Sequence, residues 1–230
     1  MPTSRIVWPQ AWRIVASRYP PIDLFERLTP DPAVWDALIA LEQLTNPRVR
    51  EEVGEIALVP PADRVAGPGA SYVMASFTHI NPKGSRFSDG SYGVYYAASE
   101  LETAIAETVF HFESFARDSG DPPRMEDMRV LLGAIDEDFE DVAALAEPLR
   151  SQILDPVSYA VAQAYARDLR DGSANGVAYP SVRCAGGSCV GAFKPRAVGF
   201  PRQERHLKYR WNGDRVDRFF DYLRDAWIVL

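Results

Sequence analysis

The stretch "SRFSDGSYGVYYAASELETAIAETVFHF", residues 85–112, carries the clearest local signals in the chain. Alternate residues of "YGVYYAAS" would face opposite sides of a β-strand, because side chains alternate along an extended backbone. Directly afterwards, "SELE" fits a capping box in which Ser99 caps a helix and Glu102 reaches back to it. The stretch therefore predicts a short strand followed at once by a helix. The two strand faces would hold Tyr92, Val94, Tyr96 and Ala98 on one side, and Gly93, Tyr95 and Ala97 on the other.

The predicted helix has an apolar stripe, and Glu107 lies at the border of that stripe. At about 100° per residue, Leu101, Ile105 and Phe112 face inward while Glu107 falls on a flank. By pattern alone, a border glutamate is typical of a solvated surface, as is Arg86 in the turn before the strand. A carboxylate at such a border also suits a cleft, where it can stabilise a developing positive charge. The guanidinium of Arg86 likewise suits a diphosphate or a carboxylate.

The composition of the whole chain is that of an ordinary folded protein. Of its 230 residues, 47% are hydrophobic and 25% are charged, which predicts one domain over residues 1–230. No apolar run approaches the roughly 18 residues of a membrane span, and the charged N-terminus does not fit a secretory signal, so a cytoplasmic protein is expected. A net charge of −7 weighs against a protein that coats nucleic acid, because phosphate neutralisation needs clustered lysine and arginine.

Cys184 and Cys189 are the two cysteines of the sequence. Their C-x4-C spacing matches neither the paired zinc pattern nor the C-x-x-C redox pattern. We therefore expect two free thiols and no metal.

Patterns outside residues 85–112 predict a mixed α+β domain. No regular βαβ series is visible, so a doubly wound sheet is not expected. Strands are predicted over residues 12–15, 71–80, 129–138, 176–183 and 189–195. Helices are predicted from Asp31 or Pro32 with Val34, Leu38 and Leu41 inward, over residues 155–170 with Val157, Val161, Ala164 and Tyr165 inward, and over residues 216–230 with Val216, Phe219, Phe220 and Leu223 inward.

Three segments, taken in order, resemble the RES domain family, which is named for an arginine, a glutamate and a serine. They are "WRIV" at residues 12–15, "GSRFSDGSYGVYYAASELETAIAE" at residues 84–107 and "GVAYPSVR" at residues 176–183. The matching family positions are Arg13, Arg86, Tyr96, Glu107 and Ser181. The family's usual Gly-Gly-Arg-Trp-Asn is here "GSRFS", which keeps the arginine and replaces the asparagine. The resemblance makes residues 12–222 the expected core of the domain.

This resemblance implies a fold similar to that of ADP-ribosyltransferase toxins and a role as an NAD-consuming toxin of a bacterial toxin–antitoxin pair. The partner would be an antitoxin of the Xre type, and NAD would be a substrate rather than a bound cofactor. Glu107 would stabilise the positive charge that builds on the ribose as nicotinamide leaves. Arg86 and Arg13 would bind the diphosphate. Tyr96 would stack on or orient the ribose, and Ser181 would hydrogen-bond the ribose or the nicotinamide.

The same residues leave several activities open. Water as the acceptor would give an NAD glycohydrolase, phosphate would give a phosphorylase, and a protein side chain would give an ADP-ribosyltransferase. A ribonuclease-type toxin also uses arginine and glutamate, although the acidic composition counts against it. A nucleotide-binding module without turnover would keep the arginines and would not need Glu107. A homodimer is also left open.

Overall fold

A computed structural model describes residues 2–19, 26, 31, 34–44 and 53–230. Over these residues the chain has the mixed α+β fold predicted from its sequence. The strands are β1 (Thr3–Ala16), β2 (Tyr95–Ala98), β3 (Arg124–Asp141), β4 (Gly176–Pro180), β5 (Ser188–Ala192), β6 (Arg202–Trp211), β7 (Val216–Asp221) and β8 (Ala226–Val229). The α-helices are α1 (Trp35–Gln43), α2 (Ala70–Thr78), α3 (Leu101–Ser119), α4 (Leu149–Ile153) and α5 (Ala160–Asp171).

The strands form one sheet in the order β1-β2-β5-β4-β3-β6-β7-β8. A further pairing joins β1 to β3 along almost their whole length, from Thr3↔Glu140 to Ala16↔Met128. The pairings β1–β2, β2–β5, β5–β4, β4–β3 and β3–β1 therefore close into a ring, and β6 to β8 extend the sheet from β3. The sheet includes residues outside the expected core of residues 12–222, because β1 begins at Thr3 and β8 ends at Val229.

Strand β2 is covered on both faces of the sheet. Tyr96 and Ala98 contact one core, which contains residues of α3, α4 and α5, whereas Tyr95 and Ala97 belong to a second core with residues of α1 and α2. The alternation predicted from "YGVYYAAS" is confirmed. The strands predicted over residues 12–15 and 129–138 are also confirmed, as parts of β1 and β3. Those predicted over residues 176–183 and 189–195 form β4 and β5 but end earlier, at Pro180 and Ala192.

The strand predicted over residues 71–80 is wrong, because this segment forms α2. Val73, Met74 and Phe77 recur at helical spacing and pack into the second core. A helix that is apolar on most of its surface has no polar face to reveal its period, so its sequence resembles that of a buried strand.

The helix predicted over residues 216–230 is also wrong, because the segment forms the antiparallel strands β7 and β8. Asp221 is only 1% exposed, and its carboxylate accepts a hydrogen bond from Arg205 at 2.8 Å. The helix prediction assumed that Asp221 faces solvent. With Asp221 placed on the polar side, the apolar residues around it have the spacing of a helical stripe.

Two other helices exist with different inward faces. In α1, Trp35 and Ile39 are buried, while Val34, Leu38 and Leu41 are exposed; Pro32 lies outside the described residues. Helix α5 begins only at Ala160. Its buried residues are Ala162, Tyr165, Ala166 and Leu169, while Val157, which lies before the helix, is 88% exposed and Val161 is also exposed.

The capping box predicted at Ser99 is absent. The N-cap of α3 is Glu100, which makes no side-chain cap hydrogen bond. Ser99 instead pairs with β5, since its backbone N–H donates to the carbonyl of Ser188 at 3.0 Å. The residue before the helix therefore continues the strand pairing of β2.

We expect Phe219→Ala to destabilise the protein by about 3–5 kcal/mol, because the substitution opens a cavity in the core. Phe219 is 5% exposed and its ring meets that of Tyr209, whereas Phe220 points to the opposite, partly solvated face of β7. Phe220→Ala is the matched control, with an expected loss of about 1 kcal/mol. Urea unfolding of both variants measures the difference, and equal losses would contradict the strand assignment.

The two cysteines should differ in alkylation. Both are free thiols, as expected from their spacing, and burial raises the pKa of Cys189 in β5 to about 12. At pH 8 the thiolate fraction of Cys189 is then about one in ten thousand. Iodoacetamide should modify Cys184 first in the native protein, and both residues after unfolding in guanidinium. Mass spectrometry after partial labelling measures the two alkylation rates, and equal rates for Cys189 and Cys184 would contradict the burial of Cys189.

Candidate active site

The loop between β4 and β5 brings a serine to helix α3. Pro180 and Ser188 pair across the two strands, so residues 181–187 form their connection. The backbone N–H of Ser181 donates to the carbonyl of Gly187 at 2.8 Å, which closes the loop. Gly187 lies so close to Thr103 of α3 that a Cβ atom would overlap the threonine hydroxyl. The loop is therefore fixed against the first turn of the helix.

Ser181 hydrogen-bonds Glu107, which lies one helical turn beyond Thr103. The Ser181 Oγ donates to Glu107 Oε1 at 2.6 Å and accepts the backbone N–H groups of Arg183 at 3.1 Å and of Cys184 at 3.0 Å. Because a hydroxyl has one proton and two lone pairs, the two amides leave the proton for the carboxylate. The structure thus joins two residues that the sequence could associate only through the family pattern.

Arg86 is anchored rather than solvated. It is 6% exposed, and its Nη1 donates to the carbonyls of Ile153 at 3.0 Å and Asp155 at 2.8 Å. Its guanidinium also lies 4.6 Å from the ring centroid of Tyr159. The expectation of an arginine free in an open turn is therefore wrong, because carbonyls from a distant segment fix it.

Tyr96 holds the turn that carries Arg86. Its hydroxyl accepts the backbone N–H of Phe87 at 3.0 Å and hydrogen-bonds Ser85 Oγ at 2.8 Å. From helix α5, Gln163 donates to the carbonyls of Ser85 at 2.9 Å and Ser88 at 3.1 Å. Burial raises the pKa of the Tyr96 hydroxyl, so this group stays protonated at neutral pH. Within the structure, Tyr96 is a support for the Arg86 turn, and its contact with a ribose stays a prediction.

A buried tyrosine of β4 connects the two halves of the site. Burial raises the pKa of Tyr179 well above its ordinary value; the charge of Glu107 raises it further, and that of Arg86 lowers it. The ring of Tyr179 also meets Phe87 edge-on, with centroids 4.9 Å apart. Glu107 and the Arg86 turn therefore lie around one aromatic side chain. Tyr179 was not among the residues predicted from the sequence, although "YPS" places it two residues before Ser181.

Arg183 and His111 complete this side of the fold. The Arg183 guanidinium lies 3.3 Å from the ring centroid of Phe110, and His111 is the next residue along α3. The pKa of His111 is lowered, first by partial desolvation of its ring, although the residue as a whole is exposed, and then by the positive charges of Arg183 and Arg86, while Glu107 acts in the opposite sense. The lowered pKa favours the neutral form of the imidazole. The sequence analysis missed Arg183 even though it belongs to the quoted segment "GVAYPSVR".

Arg13 reaches the backbone of Tyr96, but its guanidinium lies on the opposite face of the sheet from Glu107 and Ser181. Its Nη1 donates to the backbone carbonyl of Tyr96 at 3.0 Å, and its guanidinium lies 4.6 Å from the ring centroid of Tyr95. Tyr95 belongs to the second core, on the sheet face opposite α3. Burial lowers the pKa of Arg13, and its Nε is buried without a hydrogen-bond partner.

Within the described residues, the structure has neither a metal-binding cluster nor a membrane-spanning helix. No group of three or more His, Cys, Asp or Glu residues in these ranges could hold a metal ion. No helix in them is long and apolar enough to cross a membrane.

Comparisons with known proteins place the chain in a family. An uncharacterised protein of Sinorhizobium fredii, y4oC, is 27% identical over 211 residues, which cover 92% of this chain and 86% of that protein. The crystal structure of the M. tuberculosis MbcT–MbcA toxin–antitoxin complex contains a chain that is similar to 92% of this one, with 87% of its own length covered, 11% identity and a TM-score of 0.41. The model of the RES domain matches residues 61–212, a range that includes Arg86, Tyr96, Glu107 and Ser181 and excludes Arg13. The chain belongs to the RES domain family.

Proposed function

We propose that this protein is the toxin of a bacterial toxin–antitoxin pair and that it cleaves the bond between nicotinamide and ribose in NAD. NAD would be consumed as a substrate in the cytoplasm, and an Xre-type antitoxin would be the partner. Membership of the RES family supports the class of toxin. The hydrogen bond between Ser181 and Glu107 is the observation that carries the chemistry.

Cleavage of a glycosidic bond builds positive charge on the ribose ring as the leaving group departs. A carboxylate lowers the barrier when it is already oriented, because no reorganisation is then needed during the reaction. Ser181 restrains Glu107 in this way, through a hydroxyl whose own direction is set by two backbone amides. Glu107 is therefore the proposed catalytic carboxylate, and Ser181 orients it.

Arg86 is the proposed anchor for the diphosphate. Its Nη1 is used by two carbonyls, while Nε and Nη2 make no hydrogen bond within the described chain. A guanidinium whose position is already fixed loses little conformational entropy when a ligand binds. Charge-assisted hydrogen bonds from its remaining nitrogens to phosphate oxygens would then add affinity and orientation.

The acceptor distinguishes a glycohydrolase, a phosphorylase and an ADP-ribosyltransferase. The proposed role of Glu107 is the same in all three reactions, because it acts before the acceptor bond forms. His111 lies one turn from Glu107 on α3 and its lowered pKa favours the neutral form, so it is the proposed group to take a proton from water or phosphate. A homodimer stays a prediction.

Glu107→Gln should reduce nicotinamide release by at least about 100-fold, since it removes the charge that stabilises the transition state. The amide oxygen of glutamine can still accept the Ser181 hydrogen bond, so the fold should be kept. The exposed Glu102→Gln on the same helix is the matched control for the loss of one charge from α3. Chromatography of NAD reactions, with and without inorganic phosphate, measures nicotinamide and identifies the product.

The products separate the alternatives. ADP-ribose indicates a glycohydrolase, phosphorylated ADP-ribose a phosphorylase, and a modified protein a transferase. An intact NAD pool together with degraded RNA would contradict the proposal in favour of a ribonuclease. Equal rates for Glu107→Gln and the parent protein would show that Glu107 is not the catalytic carboxylate.

Expression of the protein should lower cellular NAD and arrest growth unless its antitoxin is supplied. The Glu107→Gln variant should leave both NAD and growth unchanged at the same expression level. Extraction of NAD before and after induction tests this, and growth arrest with a constant NAD concentration would argue against NAD consumption as the toxic activity.

A further inference from the structure

Arg183 is held beside the proposed site by three contacts. Its backbone N–H donates to Ser181 Oγ, its guanidinium stacks on Phe110, and its Nη2 donates to the carbonyl of Pro156. These contacts join the β4–β5 loop, helix α3 and the segment that follows α4. Its side chain is therefore positioned before any ligand arrives.

Arg86 binds the same segment. Its Nη1 donates to the carbonyls of Ile153 and Asp155, and Arg183 binds the carbonyl of the next residue, Pro156. Two guanidiniums thus lie along four consecutive residues of the chain. The charges of both also act on His111, in the same direction.

Neither arginine has a carboxylate partner among the described residues. The nearby carboxylate of Asp155 is used locally, accepting the backbone N–H groups of Val157 and Ser158 at 2.7 Å each. The guanidinium nitrogens that make no hydrogen bond are not sealed in the interior, since none is found among the buried atoms without a partner. Two guanidiniums that bind the same segment and keep donors without a hydrogen bond favour an anion that can bridge them.

We propose that Arg183 and Arg86 together bind the diphosphate of the nucleotide substrate, and that Arg183 supplies the second positive charge that the sequence assigned to Arg13. This inference rests on the proposed function. The planar guanidinium of Arg183 can form paired hydrogen bonds to phosphate oxygens. Its stacking on Phe110 fixes the plane of the guanidinium.

The test compares ADP with adenosine, because the two ligands differ only in the diphosphate. Isothermal titration calorimetry would measure both ligands on the parent protein, Arg183→Gln and Arg183→Lys. We expect Arg183→Gln to raise the Kd of ADP by tenfold or more and to leave that of adenosine unchanged. Arg183→Lys keeps the positive charge but loses the paired N–H donors of the guanidinium, so its Kd for ADP should lie between those of the parent protein and Arg183→Gln. Arg150→Gln, at an exposed arginine of α4 paired with Glu147, is the matched control.

Kinetics on NAD separate binding from loop positioning. If Arg183 binds the diphosphate, Arg183→Gln raises KM about tenfold or more with kcat within about threefold of the parent. A fall in kcat with unchanged KM and unchanged Kd for ADP would overturn the inference and make Arg183 a support for the Ser181 loop. If the parent protein released no nicotinamide, the proposed function would fail, while the ADP titrations would still decide the role of Arg183.

Discussion

The hydrogen bond from Ser181 to Glu107 joins residues 74 positions apart, and the organisation of the site depends on it. It forms only because β4 and β5 make a hairpin whose loop rests on α3, with Gly187 in contact with Thr103. Helix α3 is in turn held by the core that lies under β2 and β5. Because each contact orders the next, the geometry of the candidate site is a consequence of how the sheet and one helix pack together.

Sequence signals were sufficient where local structure and burial agree. Strand β2 and the presence of helix α3 follow from alternation and helical periodicity within 28 residues, 85–112, although the N-cap of the helix is Glu100 and not the predicted Ser99. They were insufficient for α2, whose apolar surface lies in the second core and hides its period. They also failed for β7, where the ion pair of Asp221 with Arg205 buries a charge. Long-range partners of this kind leave no periodic trace in the sequence.

The site itself was only partly predictable. Family spacing identified Glu107 and Ser181, while the burial of Arg86 depends on carbonyls 67 and 69 positions away. The face of the sheet on which Arg13 lies could have been predicted from the residues on either side of it. Trp12 and Ile14 contact the core with α3, so alternation along β1 sends Arg13 to the opposite face. An alternation argument applied to "WRIV" would have separated Arg13 from Glu107.

A neutral hydroxyl is well suited to hold a carboxylate that must act through its charge. An arginine or lysine in place of Ser181 would also orient Glu107, but its positive charge would offset the field that the proposed mechanism requires the carboxylate to apply to the ribose. Within the described chain Glu107 forms no salt bridge, although two guanidiniums lie on the same side of the fold. Those guanidiniums are held by backbone carbonyls and by Phe110 and Tyr159. These contacts keep the carboxylate and the two guanidiniums apart, so that neither charge neutralises the other; under the proposed function, each would act on a different part of NAD.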